Sequence, residues 1–161
     1  MPKLTSNELT EEIYRRLCGR VPDELADKVV LVHTVDSSGW PHPAILSYFE
    51  VAATDRQNIR VAMYKTSHTT ENMRRTGRVT LSIFDEHIAW YIKGAVSELR
   101  REMRSAPHNS MLNLVVQQVL IDKADPALEP GAYIASGITC VNPHREVEGA
   151  RAAAVLKELL E

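Results

Sequence analysis

The chain has 161 residues, 44% of them apolar, and its 19 basic and 21 acidic side chains leave a formal charge of -2. That length and apolar share suit one domain, residues 1–161, with an ordinary core, and the near-neutral balance gives no general attraction to phosphate backbones or anionic lipid. Nucleic acid and membrane surfaces are therefore not the expected partners.

The opening segment MPKLTSNELTEE is too charged for a signal peptide. Within it Thr5 and Glu8 stand at capping-box spacing, and Leu4 and Leu9 occupy hydrophobic-staple positions. A helix is expected over about 5–18, with Leu9, Ile13 and Leu17 as its buried stripe and Gly19 as its stop. From Val29 the hydrophobic period shortens to that of strands. VVLVHTV, HPAILSYFEVAA and IRVAMY, joined through DSSG and TDRQN, read as a β-meander. Pro41 and Pro43 lack backbone donors, which puts the start of the second strand at an edge or rim. RVTLSIF and IAWYIKGAVSE add two more strands around the turn at Asp85–His87.

Between Asn109 and Asp122 the pattern turns helical, with Leu112, Val115, Val116, Val119 and Leu120 at i, i+3, i+4, i+7 and i+8. KADPALEPG is a connector, and AYIASGITCV is expected as a sixth strand. The Ala-rich end forms a helix over about 147–160, with Ala152, Val155, Leu156, Leu159 and Leu160 on one stripe. The chain is thus expected to be mainly β, a six-stranded antiparallel barrel over about 29–141 with peripheral helices, because closing a sheet removes its exposed edges.

One stretch asks for a chemical reading. YKTSHTTENMRRTGRVTL, from Tyr64, places Thr66, Ser67, Thr69 and Thr70 at the start of a short helix between two strands. A helix start presents unpaired amides and the positive end of its dipole, a ready anion site. The hydroxyls can donate to phosphate oxygens, and Lys65, His68, Arg74 and Arg75 can offset the charge. The same residues also suit a plainer role, in which one hydroxyl caps the helix, the others solvate a loop, and Gly77 closes the far end.

The order of the pieces shifts the balance toward the first reading, while the second stays open. A DSSGWPHP hairpin, then the segment from Ser67 through Asn72 to Val79, then Lys93-Gly94 in a later strand, together resemble the FMN-binding split-barrel family, which includes the pyridoxamine phosphate oxidases and small FMN-binding proteins. The resemblance runs from about Val29 to Glu98. It implies a split barrel, a homodimer holding FMN between subunits, and a small-molecule substrate for a flavin-dependent oxidoreductase. It places the phosphate at Thr66, Ser67, His68, Thr69 and Asn72, with Lys65 supplying charge. Many relatives carry Arg-Lys where this chain has His68-Thr69, and PAILSYFEV lacks the basic residues of pyridoxamine phosphate oxidases, which argues against that substrate. The alternatives are a non-catalytic flavin-storage protein and a barrel using a deazaflavin or haem.

Other chemistries find little support. The six histidines show no metal-binding pair spacing, and no G-x-S-x-G or G-x-G-x-x-G motif is present. His42 and His68 are the two histidines that hairpin and helix could bring together. Trp40, Tyr48, Trp90 and Tyr91 are expected in packing. Cys18 and Cys140 read as reduced thiols, and with no apolar run of membrane-spanning length the expected location is the cytoplasm.

Overall fold

The computed structural model describes all 161 residues. Its elements are β1 (Lys3–Ser6), α1 (Glu11–Leu17), α2 (Asp23–Ala26), β2 (Val29–Val35), β3 (Pro41–Ser47), a 3-10 turn (Tyr48–Glu50), β4 (Val51–Ala53), β5 (Asn58–Tyr64), α3 (His68–Thr76), β6 (Arg78–Asp85), β7 (Ile88–Arg100), β8 (Asn109–Asp122) and α4 (Arg145–Leu159). The strands form one curled antiparallel sheet in the order β3-β2-β6-β7-β8-β5-β4, and β1 also pairs with β8. The fold is mainly β, a split barrel, with eight strands rather than six. Its two ends, β3 and β4, are joined by the 3-10 turn and not by a hydrogen-bonded ladder.

Each departure from expectation has a physical reason. The segment 109–122 is a strand, not a helix. A bulge against Lys93 and Gly94 of β7 moves the pairing from Val116 to Gln118, so the inward positions run Leu112, Leu114, Val116 and then Val119. That phase slip mimics helical spacing. At the same place a side chain on Gly94 would sit 2.4 Å from the Val115 carbonyl, which explains the small residue there. The amino-terminal helix begins at Glu11, not near Thr5. β8 extends beyond β5, and β1 covers that exposed length, with the Thr5 hydroxyl donating to Val119 O at 2.9 Å.

The segment AYIASGITCV forms an isolated Lys28–Thr139 bridge and no strand. β2 already has β3 and β6 on its two sides, so no ladder edge is left for it. It crosses as a strap, with Ile134 O accepting from His87 N, Ile138 O from Val29 N, and Cys140 N donating to Asp27 O.

Alternation builds two cores. Val51, Ala53, Ile59, Val61 and Met63 face the barrel interior with Trp90, Ile92 and Leu114, and Leu9, just before α1, joins Ile13 and Leu17 of that helix in the same core. Ala52 and Ala62 face the other way, and these short side chains make a bed on which Val155, Leu156 and Leu159 of α4 lie beside Met103 and Met111. Cys18 and Cys140 are free. No helix is long and apolar enough to cross a membrane.

Candidate cofactor site

The candidate residues follow β5, where Ser67 N donates to Tyr64 O at 3.0 Å and turns the chain into α3. Ser67 is the N-cap: its Oγ accepts from Thr70 N at 3.2 Å and its hydroxyl donates to Thr70 Oγ1 at 3.1 Å. The Thr70 hydroxyl passes on to Tyr64 O at 2.9 Å. Both hydroxyls are thus committed to holding the helix start. Gly77 ends the helix in the left-handed region at φ 64°, its amide donating to Met73 O.

Of the six candidates, three are tied into the protein. Lys65 Nζ lies 2.5 Å from Glu102 Oε1, and its ammonium holds that carboxyl below the usual carboxylate range. Asn72 is buried; its amide donates to Thr34 Oγ1 at 3.1 Å, and Thr34 in turn donates to His42 O, lashing α3 to the β2–β3 hairpin. Ser67 is the cap. The other three keep uncommitted donors. The hydroxyls of Thr66 and Thr69 form no hydrogen bond within the chain, and His68 is 86% exposed with Glu71 3.4 Å away. The His68 and Thr69 amides have no backbone partner, as expected for the first turn of a helix.

The arginines of α3 are both bonded to other groups of the chain. Arg74 grips Glu98 with two nitrogens and reaches Lys65 O and Ser110 Oγ, and its hydrogen bond to Glu98 holds that carboxyl below the usual range. Arg75 donates to Val35 O and Asn72 Oδ1. The turn therefore presents neutral donors and a helix dipole, with its nearby cations already neutralised or bonded.

The hairpin and the helix start do converge. The His42 and His68 ring centroids are 6.4 Å apart, edge to face. Tyr48 and Trp90 are buried, whereas Trp40 is 71% exposed at the hairpin tip. Beside the turn lies a cleft of about 770 Å³ between α4 and the sheet, lined by Ile45, Phe49, Tyr64 and Asn109 among others. Sequence reasoning missed Tyr64 and Asn109. Reading 109–122 as helix concealed that β8 places Asn109 directly opposite Tyr64. No group of three or more His, Cys, Asp or Glu side chains is placed to hold a metal ion.

No family model matches the chain. Over 87 residues it is 31% identical to the uncharacterised protein YclD of Bacillus subtilis; the match covers 54% of this chain and 56% of YclD, so it spans about half the length of that relative. Among solved structures, a Lactobacillus delbrueckii protein provisionally named a pyridoxamine 5'-phosphate oxidase matches 74% of this chain and 98% of its own, with TM-score 0.58 and 22% identity. An FMN-binding protein of Syntrophomonas wolfei matches 71% of this chain and 92% of its own, at TM-score 0.51 and 14% identity. HutZ, a haem storage protein of Vibrio cholerae, matches 71% and 95%, at TM-score 0.51 and 12% identity. These likenesses show the fold: this chain shares the split-barrel architecture of those proteins.

Proposed function

We propose that this protein binds FMN as a homodimer and acts as a flavin-dependent oxidoreductase on a small molecule. The observation that carries the reading is the turn into α3, where two amides and the hydroxyls of Thr66 and Thr69 are left without partners on a fold shared with an FMN-binding protein. That donor set fits a phosphate monoester, whose oxygens accept such bonds at a helix start. In this reading Thr66, His68 and Thr69 meet the phosphate, while Ser67, Asn72 and Lys65 hold the turn in shape. Bound flavin would supply hydride and electron transfer; the protein supplies position and a partly apolar surface. Trp40 and Val35, exposed at the hairpin tip, offer area that a second copy would cover.

Titrating the purified protein with FMN, followed by quenching of flavin fluorescence, tests the binding. Saturable quenching, bleaching by a nicotinamide donor and recovery in air are the expected results. Binding without such cycling would assign storage instead. Absence of any binding would remove the flavin reading.

The His42–His68 pair gives a second reading some weight, since two accessible imidazoles at one edge suit haem, as does the likeness to a haem storage protein. A Soret band that appears on adding haemin and is lost in His42→Ala or His68→Ala would favour it over flavin.

A further inference from the structure

We propose that the cleft beneath α4 is a small-molecule site for a planar, uncharged compound whose edge carries a hydrogen-bond donor beside an acceptor, as in a lactam or a primary carboxamide. At about 770 Å³ the cleft falls within the range of small-molecule pockets. Ile45 and Tyr64 line it from the sheet, Phe49 from the 3-10 turn, and Ala152 and Val155 from α4.

Asn109 is the group that asks for a ligand. It is only 6% exposed, its carboxamide makes no hydrogen bond within the chain, and its Oδ1 is buried without a donor. Nearly every buried polar group in a folded protein has a partner, and leaving one without costs on the order of 1–3 kcal/mol. The backbone fixes the residue where it is, since Asn109 N donates to Ala106 O at 2.8 Å and Asn109 O accepts from Met103 N at 2.9 Å. A carboxamide offers an acceptor and donors side by side, so its complement presents the same pair reversed. Tyr64, its cross-strand partner, is 65% exposed and provides a ring face next to it.

The charged side chains lining the cleft are mixed in sign: Asp27, Glu50, Glu146 and Glu148 stand against Lys28, Arg145 and Arg151, and Arg145 lies 3.3 Å from Asp27. A neutral ligand meets this balance without stranding a charge. Tyr64 also immediately precedes the turn into α3. The binding site stands independently of the flavin reading; only the ligand's role as the flavin's substrate rests on it.

The test uses the full chain without flavin and two probes, 2-quinolone and 1-methyl-2-quinolone, which differ by the loss of the lactam N–H. Ligand fluorescence gives the affinities, and amide NMR shifts give the location. The expected result is that 2-quinolone binds with shifts centred on Tyr64, Asn109, Ala152 and Val155, and that the methylated probe binds at least about tenfold more weakly. Asn109→Leu should bring the two probes to equal affinity. If that variant does not fold, Ala152→Trp, made from the helix side, should exclude both probes. Absence of binding to the wild type, equal affinity for both probes, or shifts centred elsewhere would overturn the proposal. Discrimination between the probes by a protein that fails to bind FMN would retain the cleft and discard the flavin.

Discussion

At Ser67 and Thr69, two residues of like chemistry do different work. Ser67 satisfies the Thr70 amide, so Ser67→Ala should lower stability by about 1 kcal/mol, a shift of a few degrees in melting temperature. Thr69 is 3% exposed and its hydroxyl has no partner in the chain, so the near-isosteric Thr69→Val should leave melting close to wild type. If Thr69 meets the FMN phosphate, the same change should weaken FMN about tenfold or more, since a hydrogen bond to a charged group contributes roughly 1.5–3 kcal/mol. Thermal denaturation and flavin titration of the two variants check both outcomes; unchanged FMN affinity in Thr69→Val would remove that residue from the site. The hydroxyl cluster and its cap were legible because they lie within one turn of sequence. The fate of Lys65 was not, because its partner Glu102 stands 37 positions away.

At the scale of elements, the strands whose inward positions kept one phase were readable and the one that slipped was not. Every second residue stays buried in β2 (Val30, Val32, Thr34), β5 (Ile59, Val61, Met63) and β6 (Val79, Leu81, Ile83), whereas β8 shifts phase at its bulge and presents a false helical stripe. α4 was legible from its stripe, but its anchor was hidden in a charged residue. Glu158 is 4% exposed, and although burial opposes its charge, hydrogen bonds from Ser105 Oγ, Ser105 N, Arg104 N and Arg100 prevail and hold its carboxyl down to about 2. A carboxyl depressed in the folded state stabilises fully above its unfolded value of 4.5 and loses that contribution as pH falls from there to about 2. Glu158→Gln should therefore cost about 2 kcal/mol near neutral pH, a figure reduced for the exposed Arg100 partner. The gap between variant and wild type should close through that acid window. Denaturant melts at several pH values measure it, and a gap that stayed constant down to pH about 2 would contradict the anchor.

For the whole molecule, the open ends of the sheet decide how copies can meet. β3 is an edge strand, but Pro41 and Pro43 withhold donors from it, so a partner cannot simply extend the ladder. Association must bury side chains instead, and the hairpin tip offers Val35, 44% exposed, beside Trp40. The prolines made the edge legible in the sequence, and the hairpin motif DSSGWPHP marked the tip; that Trp40 faces outward while Trp90 fills the core could be read only from the fold. If Trp40 lies in a dimer interface, its removal takes away a large aromatic anchor of the kind that dominates interface energies. Trp40→Asp should then convert a dimer into a monomer at tens of micromolar in sedimentation velocity, while melting of the subunit itself changes little because the side chain makes no core contact. A flavin held between subunits would be released by the same change, so FMN affinity should fall together with the mass. Loss of the dimer with full retention of FMN would show a cofactor held within one chain, and a wild-type protein that sediments as a monomer would leave the hairpin tip without a second copy to cover it.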